Sequence, residues 1–457
     1  MSKYAAPHSA IAETLWPAVP NPVSALMLAL IQQFERSERW PRELVEEQQF
    51  RQLRPLLEHA YLGSPFHRAR LEAIGYRQGQ PITTEFWQAI PVLTRREVQE
   101  NWNEIVCKEI PEAHGRVLQD STSGSSGMPI KILKTDLMQR LWEAATLRDE
   151  LWQGRDFRLK MGVIRRDPEG VVDPSGRRLE NWGAPVATVY PTGPLVLIDS
   201  RNTTDQQAEW LLRERPDYLL SFPSILKHLA RHLRGSTVPS LKGVRTFGEL
   251  VEPELRALSR QVFGAEVADV YSAAEVGYMA LQCPAHEHYH VQSELVRLEV
   301  LDADGRPSAP GEAGRIVVTP LHNFAMPLLR YAIGDDGVLD AAPCACGRTL
   351  PVLRDIRGRA RDMLVLPSGA RRFSLLGTRG LAGVPGLLQI QVVQKSIYEI
   401  ETRLVTRPGF GPSEEEQLTA HLQRALGEHL AIRFTYHAEI PRAPSGKYVD
   451  FVCEVQD

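Results

Sequence analysis

The rhythm of apolar and polar positions changes along this chain, and each change predicts a different kind of structure. Residues 1–110 read as mainly helical, most clearly from Leu44 to Tyr61, where apolar positions recur near helical spacing until Pro65 breaks the run. From about Lys160 the pattern alternates strand and helix. Thr203 to Leu212 reads as a capped helix ended by Pro216, and Tyr218 to Leu220 as a short buried strand. Ser224 to Leu233 is helical, Gly243 to Phe247 a strand, Pro253 to Val262 a helix with proline at its start, and Val267 to Tyr271 the next strand. Such alternation predicts a largely parallel sheet covered by helices.

After Ser272 the texture is different. His290 to Val300 and Gly314 to Thr319 alternate with period two, as in an antiparallel sheet with one wet face, and Asp302 to Gly305 supplies a turn between them. A third texture follows Gly358. Gln389 to Val405 reads as strands, Ser413 to Glu416 as a capping box opening a helix to about Leu430, and Phe434 to Ile440 as a last strand. The expectation is an α/β protein with a large domain over 1–361, whose first 110 residues are a helical lead-in. A small α+β domain over 362–457 follows.

Composition narrows the class. The 457 residues are 43% hydrophobic and 24% charged, with a formal net charge of −3, so a broad nucleic-acid-binding surface is not expected. No apolar run reaches membrane-spanning length, and the N-terminal stretch with Pro7 and Glu13 does not read as a signal peptide. Five cysteines in so long a chain fit a reducing cytoplasm better than a disulfide scaffold.

The chemistry concentrates in a few segments. Thr122, Ser123, Gly124, Ser125, Ser126 and Gly127 pack hydroxyls and glycines into one short turn. Successive amide groups there can form an anion nest, with side-chain hydroxyls as further donors. Met128-Pro129 follows Gly127, so this is not the P-loop of kinases and GTPases. Tyr271-Ser272-Ala273-Ala274-Glu275 follows a predicted strand, where ligands of open α/β sheets bind. A carboxylate at that place suits Mg²⁺, which takes one or two carboxylates plus phosphate oxygens. Gly248-Glu249 also ends a strand, and Glu249 is a second candidate for that work or for lining the pocket. Asp335, after a strand-like run and Gly334, is placed to accept ribose hydroxyls. Lys447 projects from a Pro/Gly-rich loop as a mobile point charge.

In order and spacing these segments resemble the adenylate-forming superfamily of acyl-CoA synthetases, nonribosomal-peptide adenylation domains and luciferases, with the phenylacetate-CoA ligase branch as the closer match. The resemblance spans about residues 50–450. It includes Leu321 to Asp335 with its Met-Pro-Leu-Leu-Arg-Tyr core, Cys344-Ala-Cys-Gly-Arg348, Ile356 to Met363 as a hinge motif, and Pro441 to Lys447 as a catalytic-lysine loop. It implies activation of a carboxylic acid by MgATP to an acyl-adenylate, then transfer to coenzyme A. The roles implied are phosphate binding by Thr122 to Gly127, Mg²⁺ by Glu275, ribose by Asp335, and ribose or phosphate by Arg359. Gly248, Glu249, Tyr271 and Ser272 complete the nucleotide set, Lys447 acts in adenylation, and Asp362 is the hinge. Two departures stand out. Ala273-Ala274 replace the usual Gly/Ser and Thr, removing one hydroxyl, and Lys131 lies two residues past Pro129 rather than directly after it.

Phe222, Phe247, Tyr271 and Ala273 would shape a pocket for a flat, apolar or aromatic acid, although these aromatics serve equally well as core. Cys283, Cys344 and Cys346 with His290 make a closed structural zinc set, with His286 and His288 as alternative imidazoles. The partners implied are the acid, ATP and CoA, with no nucleic acid and no membrane, and a homodimer as the candidate assembly. Two rival readings stay open: an amine or carrier-protein acceptor for the same adenylate, and a non-catalytic nucleotide-binding relative.

Overall fold

The computed structural model of the protein describes residues 6–121, 130–238, 241–357, 363–365, 367, 371–373, 384–426, 430–440 and 451–455. The lead-in forms helices α1 (Pro22–Ser37), α2 (Arg42–Gly63), α3 (Pro65–Ala73), α4 (Thr84–Ala89), α5 (Arg95–Glu100) and α6 (Trp102–Ile105). Pro65 does more than end α2. It opens α3, where its missing N–H costs nothing, and the Ser64 hydroxyl caps that helix by accepting from the His67 amide at 3.3 Å. Strands β1 (Val117–Ser121) and β2 (Lys131–Thr135) pair antiparallel, and α7 (Asp136–Trp152) follows.

Next come β3 (Met161–Arg165), β4 (Arg177–Leu179), α8 (Val186–Val189), β5 (Leu195–Asp199), α9 (Thr204–Glu214), β6 (Tyr218–Ser221), α10 (Pro223–His232), β7 (Gly243–Phe247), α11 (Pro253–Leu258) and β8 (Val267–Ala273). The antiparallel part is β9 (Gly277–Gln282), β10 (Tyr289–Val291), β11 (Val296–Leu301), β12 (Ala313–Pro320), β13 (Tyr331–Leu339) and β14 (Val352–Arg357). The sequence separates a parallel from an antiparallel region. The structure joins them in one sheet of twelve strands, ordered β11-β12-β13-β14-β10-β9-β8-β7-β6-β3-β5-β4. Strands β5, β3, β6, β7 and β8 run parallel, and direction reverses at the β8–β9 pair. One apolar cluster, with Leu141 and Leu147 of α7, covers one face; another, with Trp210, Leu226 and Leu255 of α9 to α11, covers the opposite face. Both faces are therefore dry, which is what parallel strands require.

One expectation is corrected here. His290 to Val300 is not a single strand: a turn closed by the Leu295 and Val296 amides on the Gln292 carbonyl divides β10 from β11. The period-two pattern continues through the break because Gln292 and Ser293 are buried. The Gln292 side chain accepts from Arg148 and donates to the His290 carbonyl.

Beyond residue 357 the described elements are the hairpin strands β15 (Met363–Val365) and β16 (Arg371–Phe373), then β17 (Leu387–Ser396), β18 (Glu399–Thr406), α12 (Pro412–Leu426), β19 (Ala431–Tyr436) and β20 (Phe451–Cys453). The last strands form their own sheet, ordered β19-β18-β17-β20, over a core of Val392, Ile400, Leu404, Leu418 and Leu422. Helix α12 begins one residue before the expected Ser413: Pro412 takes its first turn, and the Glu414 carboxylate caps it by accepting from the Gly411 amide at 3.0 Å. The strand expected from Phe434 to Ile440 starts at Ala431, and β20 follows it as a further strand. Among the described residues no helix is long and apolar enough to cross a membrane.

Candidate active site

The sheet reverses direction at the turn Ala274-Glu275-Val276. Ala273 pairs with Gly277, and the Val276 amide donates to the Ala273 carbonyl at 3.2 Å. Gly277 has φ +89°, a conformation that would strain a side chain, so the tightness of this turn depends on glycine. The turn holds Glu275 in a nearly closed position, 3% exposed. Its Oε1 accepts from Arg95 Nη1 at 3.0 Å, so the buried carboxylate is paired with a cation.

Beside it, the Tyr271 hydroxyl donates to Asp335 Oδ2 at 2.7 Å. Tyr271 lies on β8 and Asp335 on β13, so the contact brings two separately predicted motifs together. Ser272 and Ala273 continue β8 just past a register irregularity, and both are half-buried at the same strand end. Strand β13 is anchored from behind. Arg330, 2% exposed, donates through Nη1 to the Gln88 and Ile90 carbonyls and pairs with Glu299 at 3.1 Å. Leu93 then bridges Tyr331, accepting from the Ala332 amide and donating to the Arg330 carbonyl, both at 2.8 Å. The arginine of the Met-Pro-Leu-Leu-Arg-Tyr stretch is thus a clamp between the helical lead-in and the strand that carries Asp335.

Gly248 follows β7 with φ +77° and turns the chain toward α10. There the Glu249 carboxylate accepts from the Ser224 amide at 2.8 Å and from its hydroxyl at 3.1 Å. A carboxylate at a helix N-terminus is favoured by the exposed amides and the helix dipole. Phe222 packs on Phe247 with ring centroids 4.5 Å apart. Phe222 belongs to the core under α9 to α11, whereas Phe247 is half-buried and touches both apolar clusters. Of the two, Phe247 is the one at a strand end beside Tyr271.

The cysteines converge as expected. One donor atom from each of Cys283, His290, Cys344 and Cys346 lies within 4.8 Å of the others. Cys283 Sγ is 3.8 Å from Cys344 Sγ, and Cys346 Sγ is 3.4 Å from His290 Nε2. His290 Nδ1 lies 3.3 Å from the Leu350 carbonyl. Donation there fixes the tautomer that leaves Nε2 free to ligate, the usual way a metal-binding imidazole is oriented. His288 Nε2 also approaches Cys344 Sγ, at 3.1 Å, while His286 stacks on His288 at 5.0 Å. The donor set, three sulfurs and one imidazole around one point, fits a tetrahedral zinc ion. Arg348 ties the cluster to the lead-in, with Nε 3.3 Å from Glu38 and its guanidinium 4.1 Å above the Trp152 ring.

Several predicted residues lie outside the described residues: Thr122, Ser123, Gly124, Ser125, Ser126, Gly127, Arg359, Asp362 and Lys447. The strands flanking the first group pair with Ser121 opposite Lys131, and the Lys131 side chain is exposed. Sequence reasoning missed Arg95. Its local signal is only a capping box, in which Thr94 and Glu97 satisfy each other's amides, and nothing nearby points to a glutamate 180 residues away.

Known proteins resemble this chain in both sequence and fold. Residues 183–325 match the family model of AMP-binding enzymes, and residues 381–454 match the CapK C-terminal domain. A phenylacetate-coenzyme A ligase of Thermus thermophilus is 25% identical, over 72% of this chain and 73% of its own. The Escherichia coli phenylacetate-coenzyme A ligase is 24% identical, over 76% and 75%. The fold matches a 2-hydroxyisobutyryl-CoA ligase in its postadenylation state, with a TM-score of 0.72 over 92% of both chains at 20% identity. The chain is thus similar to AMP-binding enzymes over residues 183–325 and to a CoA ligase in its fold. The curated relatives it resembles include several phenylacetate-coenzyme A ligases.

Proposed function

We propose that the protein is an AMP-forming acid–CoA ligase that activates a carboxylic acid, an aromatic one by the character of its pocket. The observation that supports this most directly is the 2.7 Å contact between Tyr271 and Asp335, which joins the Asp335 carboxylate to the strand that leads into the Glu275 turn. In the first half-reaction a carboxylate oxygen of the acid attacks the α-phosphorus of ATP and pyrophosphate leaves. In the second, the CoA thiol attacks the acyl carbonyl, loses its proton, and AMP departs.

The protein's part is positioning and charge compensation. Asp335 accepts from the ribose hydroxyls while Tyr271 holds its other oxygen. Gly248, Ser272 and Ala273 form strand ends around the adenosine and acyl groups, and Phe247 and Tyr271 offer flat apolar surface to the acid. Residues 122–127 bind the β- and γ-phosphates, Arg359 the ribose or phosphate, and Lys447 the charge developing between carboxylate and α-phosphate. The Glu275 carboxylate, a hard oxygen donor in a closed turn, is the residue that would hold Mg²⁺, which neutralises phosphate charge when bound. The small domain, 362–457, turns about Asp362 between half-reactions.

We assign the Cys283, His290, Cys344 and Cys346 cluster to structural zinc. It leaves no open coordination position, so it contributes stability to the β10–β14 region rather than chemistry. The deciding experiment is exchange of labelled pyrophosphate into ATP across a panel of carboxylic acids, followed by product mass with CoA or with amines. Exchange with an aromatic acid and a thioester product is expected. Exchange with an amide as the only product would reassign the acceptor, and no exchange with any acid would remove the catalytic reading.

A further inference from the structure

The Arg95–Glu275 pair has no place in the reaction as described so far. Glu275 is 3% exposed, and its partner comes from the first turn of α5, a helix of the lead-in. Arg95 cannot drift far. Thr94 and Glu97 close a capping box on either side of it, and the preceding residue but one, Leu93, is fully buried and hydrogen-bonded to both neighbours of Tyr331. Arg95 is therefore held by the same strand, β13, that carries Asp335. A guanidinium is always charged, so the carboxylate meant for a divalent cation has a monovalent one beside it before nucleotide binds.

We infer that Arg95 is a positioning residue that holds Glu275 in place of the metal and competes with Mg²⁺ for it. This rests on the reading of Glu275 as the magnesium carboxylate. Without a cation, a carboxylate in this turn would be an unpaired buried charge, which is costly to hold in place. With Arg95 present, the turn is already shaped when the nucleotide arrives. Two cations on one carboxylate repel each other, so metal entry has to loosen the arginine. The arrangement exchanges metal affinity for a preformed site and suppresses metal binding without nucleotide.

The test is a titration of Mn²⁺, the spectroscopic substitute for Mg²⁺, into the full-length protein saturated with a non-hydrolysable ATP analogue. Free Mn²⁺ is read by electron paramagnetic resonance. Arg95→Gln is expected to tighten Mn²⁺ binding by about three- to tenfold. In the Glu275→Gln background the same change is expected to have no further effect. A merely structural arginine would not move the metal midpoint in a Glu275-dependent way. If Arg95→Gln fails to fold, Arg95→Lys is used: its ammonium keeps the charge but not the planar fork, and a smaller tightening is expected. Unchanged or weaker Mn²⁺ binding in the folded variant overturns the inference. Undiminished Mn²⁺ binding in Glu275→Gln alone overturns instead the assignment of Glu275, and the two failures are distinguishable.

Discussion

The hydroxyl of Tyr271 donates to Asp335 Oδ2 at 2.7 Å, from the last parallel strand to a strand of the antiparallel meander. A carboxylate offers about four acceptor sites, so the bond from Tyr271 does not by itself exclude a pair of ribose hydroxyls. Asp335→Ala removes a charged acceptor, each bond to which contributes roughly 1.5–3 kcal/mol. At least a tenfold rise in the ATP dissociation constant is expected by calorimetry. Tyr271→Phe removes a positioning bond of about 0.5–1.5 kcal/mol, so the rise should be about two- to tenfold. Equal affinities for all three proteins would leave Asp335 a structural residue of its strand.

Lys447 is the sharpest test of the two-step scheme. If it meets charge only in the adenylation transition state, Lys447→Ala should cut that rate by ~10²–10³ with little change in ATP or acid affinity. Supplied with a pre-made acyl-adenylate and CoA, the same variant should form thioester at close to the normal rate. Comparable losses in both half-reactions would contradict alternation of the small domain about Asp362.

The Cys/His cluster predicts about one zinc per chain in protein purified without chelator. Cys344→Ser should lower the melting temperature more than it lowers adenylation on the folded fraction. His290→Ala should lose metal, while His288→Ala should retain it, because only His290 has its second nitrogen directed at a backbone carbonyl among the described residues. Elemental analysis reads the metal content of the wild type and of both histidine variants, and metal-free wild-type protein would end the assignment.

His67 gives a pH dependence with a defined sign. It is buried, its Nε2 lies 2.8 Å from the Pro327 carbonyl, and burial lowers its pKa to about 4 from 6.5. The unfolded chain therefore binds the extra proton between pH 6.5 and pH 4. Its stabilising contribution is complete above pH 6.5 and is lost as pH falls toward 4, by about 3 kcal/mol if the whole shift is realised. His67→Gln keeps a donor for Pro327 without a titrating ring. Urea unfolding of that variant should fall less steeply than wild type over this window, and parallel profiles would assign the acid sensitivity elsewhere.

Local patterns made the parallel half legible. Tyr218–Ser221 and Gly243–Phe247 are short and mostly buried, and the helix after each opens on a proline, so these βα units are marked locally. The continuity of the sheet was not legible, because β10 finds its second neighbour in β14, some sixty residues on, and no local signal encodes that pairing. The break at Gln292 was hidden because a buried, fully bonded glutamine keeps the strand rhythm. The site divides the same way. Glu275 and Asp335 could be picked out from the ends of strand-like runs, but their partners Arg95 and Tyr271 are 180 and 64 residues away. Arg330 drew notice as part of a motif, yet its work as a clamp depends on carbonyls at Gln88 and Ile90.

The position of the Cys/His cluster also bears on how the chain finds its shape. Cys283 and His290 stand before the meander, Cys344 and Cys346 after it, and β11, β12 and β13 lie in the loop between. Bringing the ends of such a loop together has an entropic cost that grows as the logarithm of its length and must be met before β14 can add to β10. An ion held by all four donors would close that loop in one step and fix where β14 enters. Metal loading would then govern the folding rate of the antiparallel half, and with it the arrival of Asp335, while the parallel strands β3, β5, β6, β7 and β8 could assemble without it.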